Sequence, residues 1–189
     1  MRKATEAIST AMHMLAEQNT YAHAYTAPFP YCYLYGAKGE EITTRAQVEN
    51  YFRMEPSYYA RYSAAEKEQI IKNSIGRIAY DCSGFVGTCT WDHQYSGGQI
   101  ANAHDIQTTA AGMSSNPAGS ILFTTYGGRG RHIGIDVDHG WCCDMAYEST
   151  DANVRSGKAG IRLYRINQDG YNMRWTAWEK SGMSNALQY

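Results

Sequence analysis

Two residues in this chain are of types that together can cut an amide. Cys82 stands in the run Tyr80-Asp81-Cys82-Ser83-Gly84-Phe85-Val86, and His132 stands in the alternating run Arg131 to Asp138. Asp81 is a helix N-cap by type, which places Cys82 in the first turn of a helix over 81–91. A thiol there meets the positive end of the helix dipole and backbone N–H groups that lack helical partners, and both favour thiolate. The same N–H groups can hold an oxyanion. Ser83 and Gly84 are small, so a substrate carbonyl can come close. Free cysteine is also among the most buried residue types, so helix position alone does not decide between a nucleophile and a packing residue.

The second half of the chemistry needs an oriented imidazole. In Arg131–Asp138, Ile133, Ile135 and Val137 share one face, and His132, Gly134, Asp136 and Asp138 share the other. His139-Gly140 is turn chemistry, and Trp141–Glu148 reads as the returning strand. Pairing through that turn sets His132 opposite Tyr147 or Glu148, and a three-residue loop makes Glu148 its cross-strand neighbour. Glu148 is then expected to bind one imidazole nitrogen while the other faces the thiol, which is the Cys-His-acid arrangement. A slip of one residue would turn the faces over.

The elements that must position these groups fall in an order. A helix is expected over 4–16, with Ala4, Ile8, Met12 and Leu15 on one face. Residues 21–37 are rich in Tyr and Pro and read as extended or looped. Thr44-Arg45-Ala46-Gln47 and Ser63-Ala64-Ala65-Glu66 are capping boxes for two further helices, ending before Pro56 and near Gly76. Residues 92–119 read mostly as loop. Strands follow over 120–126, 131–138, 141–148 and 160–166. Helices first and an antiparallel sheet after argue for an α+β fold.

Size and composition narrow the function. A chain of 189 residues, 43% apolar and 19% charged, suits one globular unit with a real core. A formal net charge of -1 offers no footprint for nucleic acid and no polybasic membrane patch. No stretch approaches the ~18 apolar residues that span a bilayer, and residues 1–20 lack the apolar core of a signal peptide. The chain is expected to be made in the cytoplasm, to be a mature form, or to leave by another route. The five cysteines form no C-x-x-C pair, so neither a zinc ribbon nor a disulfide framework is indicated. Cys142 and Cys143 are adjacent and point to opposite faces, and Cys89 lies two turns beyond Cys82; all three read as packing residues. His132, Asp136, Asp138 and His139 could suggest a metal, but alternation explains the two aspartates as solvated strand residues, and no metal or cofactor is expected. Trp175 and Trp178 are expected to dock on the sheet.

Four segments in order also resemble the NlpC/P60 peptidases. Asp81-Cys82-Ser83-Gly84-Phe85-Val86 is similar to that family's nucleophile motif, and His132-Ile133-Gly134-Ile135 with Asp138-His139-Gly140 to its histidine hairpin. Tyr33-Leu34-Tyr35-Gly36-Ala37 resembles the segment that opens the domain, and Pro117-Ala118-Gly119-Ser120-Ile121-Leu122-Phe123 the strand before the hairpin. Asp136 and Ser120 depart from the family pattern, which has Tyr and Asp there. The resemblance implies a papain-like α+β fold, one catalytic domain over 1–189, with a helical insertion at about 38–78. It implies Cys82 as nucleophile, His132 as general base, Glu148 as third polar residue and Tyr33 as a helper at the oxyanion. It implies Asp81, Ser83, Tyr35 and Arg131 as substrate-binding groups.

The activity implied is hydrolysis of bacterial peptidoglycan stem peptides, at the γ-D-glutamyl–diamino acid bond. An N-acetylmuramoyl-L-alanine amidase is the alternative within hydrolases, and a Cys-dependent acyl or amine transferase is the alternative of another class. A phage lysin or an injected antibacterial effector would fit such a chain, the latter with an immunity protein as partner.

Overall fold

The computed structural model describes residues 2–24, 30–91, 106–107, 118–126, 129–138, 140–146, 160–166, 175, 177–179 and 187–188. Its first helix, α1 (Ala4–Ala24), follows a short strand β1 (Arg2–Lys3) that pairs with β11 (Leu187–Gln188). The helix is longer than the expected 4–16. Its buried stripe is Ala4, Ala7, Ala11, Met14 and Leu15, whereas Met12 is exposed and Ile8 half-buried. The expected face is thus rotated, because the small alanines allow a closer approach to the neighbouring layer than Ile8 and Met12 would. Gln18 extends the same stripe. Its amide donates to the Ile161 carbonyl at 2.8 Å and accepts from the Ile161 N–H at 3.0 Å, so a side chain closes part of a strand edge.

Residues 30–80 build a lobe. It contains β2 (Tyr31–Tyr33), β3 (Lys38–Ile42), α2 (Arg45–Met54), α3 (Pro56–Tyr59), α4 (Ala64–Ser74) and β4 (Arg77–Tyr80). Both expected capping boxes are present, with Thr44 and Ser63 accepting from the backbone N–H of Gln47 and Glu66. The three strands form a sheet in the order β2-β4-β3, with β2 parallel and β3 antiparallel to β4. This mixed sheet was not legible in the Tyr-rich segment. The lobe has its own core of Cys32, Leu34, Ala37, Ile42, Val48, Ile70, Ile71 and Ala79.

Helix α5 (Cys82–Thr90) follows β4 directly, capped by Asp81 as its sequence predicts. Beyond it stands a six-stranded antiparallel sheet, ordered β5-β10-β6-β7-β8-β9. The strands are β5 (Ile106–Gln107), β6 (Ile121–Tyr126), β7 (Arg129–Asp138), β8 (Trp141–Ala146), β9 (Gly160–Arg165) and β10 (Ala177–Glu179). Helices and an antiparallel main sheet make this a mixed α+β architecture.

One face of the main sheet packs on α1 and α5. Ile121, Phe123, Ile133, Ile135, Cys143 and Met145 meet Ala7, Ala11, Phe85, Val86 and Cys89 there. Full burial of a side chain such as Phe85 contributes roughly 1.5–3 kcal/mol. The other face is covered as well, by a smaller cluster of Leu122, Cys142, Tyr164 and Trp175. That cover overturns one expectation: Asp136 is completely buried rather than solvated, while Asp138 is exposed as expected. Alternation gives the face a side chain takes, but not whether a second layer lies over it. Among the described residues, no helix is long and apolar enough to cross a membrane.

Candidate active site

The Cys82 end of the site is set by the head of α5. The Asp81 carboxylate accepts from the Gly84 N–H at 2.6 Å, and the Phe85 N–H bonds the Asp81 carbonyl at 3.0 Å. Those bonds leave the N–H groups of Cys82 and Ser83 as the first donors of the helix. Gly84 has a specific steric task. A Cβ there would lie 2.3 Å from the Ala37 carbonyl oxygen and 2.9 Å from the Lys38 Cα. Its absence lets the 36–38 turn cross the helix head, where the Asp81 N–H bonds the Ala37 carbonyl at 2.9 Å.

Asp81 and Ser83 turn inward. The Asp81 carboxylate also takes the Gly36 N–H at 3.0 Å, the Ser83 hydroxyl at 2.8 Å and the Lys38 ammonium at 3.0 and 3.1 Å. The Lys38 ammonium bonds Ser83 as well. Both residues are buried and neither is among the described residues lining the cleft beside His132. Lys38, which the sequence did not single out, is their cationic partner.

The His132 end is set by β7. His132 is paired with Thr124 of β6, just where the register of that pair shifts. Its Nε2 lies 2.8 Å from an Asp144 carboxylate oxygen. Asp144 is completely buried and is held on three further bonds. Arg162 donates through Nε at 2.8 Å and through Nη2 at 2.5 Å, and the Tyr164 hydroxyl donates at 2.8 Å. The Trp175 ring stacks on the imidazole, with centroids 5.5 Å apart and planes 26° off parallel. Trp175 thus docks on the sheet, as expected, and covers one side of the imidazole.

Asp144 is therefore the residue the structure sets against His132, and the sequence reading missed it. The turn at Gly140 does pair Asp138 with Trp141, but the register shifts between Asp136 and Asp138, so Gly134 pairs with Asp144. Continuing that register sets Ala146, not Tyr147 or Glu148, opposite His132. Glu148 lies outside the described residues. The extra residue of a β-bulge changes which side chains share a face, and hairpin counting does not reveal it. One signal was available: Asp144 is the single charge in Cys142-Cys143-Asp144-Met145-Ala146. Gly134 makes the diagonal contact possible. A Cβ there would lie 2.8 Å from the Cys142 Sγ and 2.9 Å from a Trp175 ring carbon.

The electrostatics join the two ends. Burial by itself would strip the proton from His132. The charge of Cys82, the hydrogen bonds to Asp144 and Cys82, and the Asp144 charge outweigh it and carry the imidazole up to about 10. Cys82 and His132 are thus direct neighbours. Burial works against the Asp144 carboxylate too, but the Arg162 charge and the His132 contacts hold it down at about 2. An ionised Asp144 only accepts, so Nε2 carries a hydrogen and Nδ1 is the nitrogen left for Cys82. Burial pushes Cys32 up to about 11 and raises Cys142 and Cys143 well above the ordinary thiol range.

A cleft of about 230 Å³ opens beside His132. Tyr33, Tyr35, Thr124 and Arg131 line it, so three of the expected site residues meet the imidazole there. Tyr58 and Arg61 of the lobe, which the sequence reading passed over, line it too. Among the described residues, no group of three His, Cys, Asp or Glu side chains is arranged to hold a metal ion.

No protein-family model matches the chain, and no curated protein matches it in sequence. Among solved structures it is similar to the P60 domain of the M. avium subspecies paratuberculosis antigen MAP1204. That likeness has a TM-score of 0.42 at 11% identity, over 95% of this chain and 98% of that one. It is also similar to Rv1477, a hypothetical invasion protein of Mycobacterium tuberculosis, with a TM-score of 0.39 at 14% identity over 97% of this chain and 85% of that one.

Proposed function

We propose that this protein is a thiol hydrolase of the NlpC/P60 class that cuts peptidoglycan stem peptides, with Cys82, His132 and Asp144 as its catalytic set. The observation that carries the reading is one line of contacts: a thiol at a helix head, an imidazole beside it, and a buried ionised carboxylate on the far ring nitrogen. The papain-like fold and the γ-D-glutamyl–diamino acid bond follow from the four motif segments and are part of the proposal.

The chemistry runs through an acyl-enzyme. The Cys82 sulfur attacks the scissile carbonyl while His132 Nδ1 holds the proton, and the Cys82 and Ser83 N–H groups face the resulting oxyanion. The imidazolium then protonates the leaving amine, the C–N bond breaks, and a thioester remains. Water, deprotonated by His132, attacks that thioester and returns the thiol. Asp144 holds the ring and its charge throughout, and Arg162 and Tyr164 hold Asp144. Tyr33, buried in β2 at the cleft wall, would border the reacting carbonyl.

The test is mass spectrometry of purified peptidoglycan incubated with wild type and with Cys82→Ala. Stem fragments from wild type alone are expected, and their masses identify the bond. Equal inertness of both proteins across several wall types would overturn the reading. Release of fragments only when an amine is supplied would point to acyl transfer instead. Iodoacetamide should modify Cys82 first, because Cys32, Cys142 and Cys143 are held as thiols. Labelling of Cys89 or Cys142 with Cys82 untouched would overturn the nucleophile assignment.

A further inference from the structure

Lys38 reaches the head of α5 through a local irregularity of β3. It pairs with Tyr80, the residue before Asp81, and the register of β3 on β4 shifts between Lys38 and Glu40. Gly39 stands at the shift with φ of 112°, a backbone conformation that L side chains rarely adopt. A Cβ there would lie 2.9 Å from the Tyr80 ring. The Glu40 carboxylate accepts from the Lys38 N–H at 2.7 Å and closes the irregularity. A bulge of this kind re-aims a side chain. Here the Lys38 ammonium ends on Asp81 and Ser83, the two residues that flank Cys82.

That placement has an electrostatic consequence. The Asp81 carboxylate caps α5, where a negative charge suits the helix. The same charge stands one residue from the Cys82 sulfur and opposes a second negative charge there. Asp81 is buried, so water and salt screen it poorly. Lys38 sets the opposite charge 3.0 Å from it. Other groups act on Cys82 from other elements. His132 of β7 is its direct neighbour, with Asp144 of β8 behind the ring. Tyr35 lies within reach of the Cys82 charge and feels Glu55, Asp81 and Arg131 as well, and burial keeps it a neutral phenol. Burial does the same to Tyr80 of β4. From α1, the side chains packed into this core are Ala7, Ala11, Met14 and Leu15, which carry no charge.

We infer that Lys38 is a positioning residue for the nucleophile, whose ammonium cancels the Asp81 charge beside Cys82. The helix head is then capped by a carboxylate and still favours a thiolate. This deepens the hydrolase reading and rests on it for the role of Cys82. Lys38 is not among the described residues that line the cleft, so it acts through Asp81 rather than on substrate.

Alkylation by iodoacetamide, read at Cys82 by peptide mass spectrometry across pH, tests this without any substrate. Lys38→Met should slow alkylation at neutral pH by about threefold to tenfold, the effect of one unit charge across several ångströms at a partly hydrated site. The rise of rate with pH should move to higher pH. Lys38→Arg should keep most of the wild-type profile. Asp81→Asn keeps a capping oxygen and leaves the Lys38 charge uncancelled, so alkylation should be faster than in wild type. Lys38→Met combined with Asp81→Asn should return close to wild type, and this pair carries the test if Lys38→Met alone does not fold. A wild-type profile in Lys38→Met overturns the proposal. So does a slowing that the double substitution leaves in place, which is what a lost anchor for the 36–38 turn would give. Protein that shows these shifts but is inert on peptidoglycan would count against the hydrolase reading and not against Lys38.

Discussion

On the sheet side of the cleft, His132, Asp144, Arg162 and Tyr164 are buried, and each bonds to Asp144 or, for Asp144, to the other three. On the lobe side, Tyr35 and Tyr58 are half-buried and stacked on one another, and the exposed Arg61 stacks on Tyr58. Burial strengthens charge interactions and punishes any unpaired member, so the sheet side fixes one protonation state and one geometry. Under the proposed function the chemistry belongs to the sheet wall, and the lobe wall borders it. Variants should separate them, with turnover falling on the sheet side and holding on the other.

Asp144→Ala should give the largest effect. It leaves the Arg162 guanidinium buried without its anion, a change that costs about 3–5 kcal/mol, and urea unfolding would measure it. Asp144→Asn keeps the shape and removes the charge that helps His132 keep its proton. Turnover should drop by about 10²–10⁴, with the alkaline limb of the pH–rate profile moved to lower pH. An unchanged profile would mean that Asp144 is only a packing partner.

The pH dependence of stability should carry the same signature. His132 is raised from 6.5 to about 10, so its contribution is complete below about 6.5 and is lost as pH rises through about 10. Asp144 is lowered from 3.8 to about 2, so its contribution is present above about 3.8 and is lost as pH falls through about 2. Thermal midpoints measured across pH should fall at both ends. The alkaline fall should be missing in His132→Gln, and its persistence there would place the titrating group elsewhere.

Gly134→Ala should cost about 1–3 kcal/mol, because the new methyl meets Cys142 and Trp175 in a packed layer. Its activity loss should appear in kcat, since the added atom pushes on the ring that covers His132. The smallest effect belongs to the lobe. Ser63→Ala removes the cap of α4 and should cost about 1 kcal/mol with kcat unchanged. A fall in kcat there would show that α4 positions the chemistry after all.

Much of this was legible beforehand. The Asp81 cap, the two capping boxes, the strands β6 to β9 and the alternation of Ile133, Ile135 and Val137 follow from local rules, and each was read close to its bounds. Pairing Cys82 with His132 was legible as well, from residue types and motif order. The carboxylate on His132 was not. Local turn chemistry set Asp138 against Trp141, but one bulge decided that Asp144 shares the face of His132.

The sequence by itself determined the helix heads, the strand faces and the thiol and imidazole that meet, because these depend on neighbours a few residues apart. Only the tertiary structure decided that Asp136 is buried, that Asp144 rests on Arg162 and Tyr164, and that Arg61 reaches the cleft. Those outcomes depend on which layer covers a face and on a register set by one extra residue, and both are properties of the packed chain rather than of any local stretch of it.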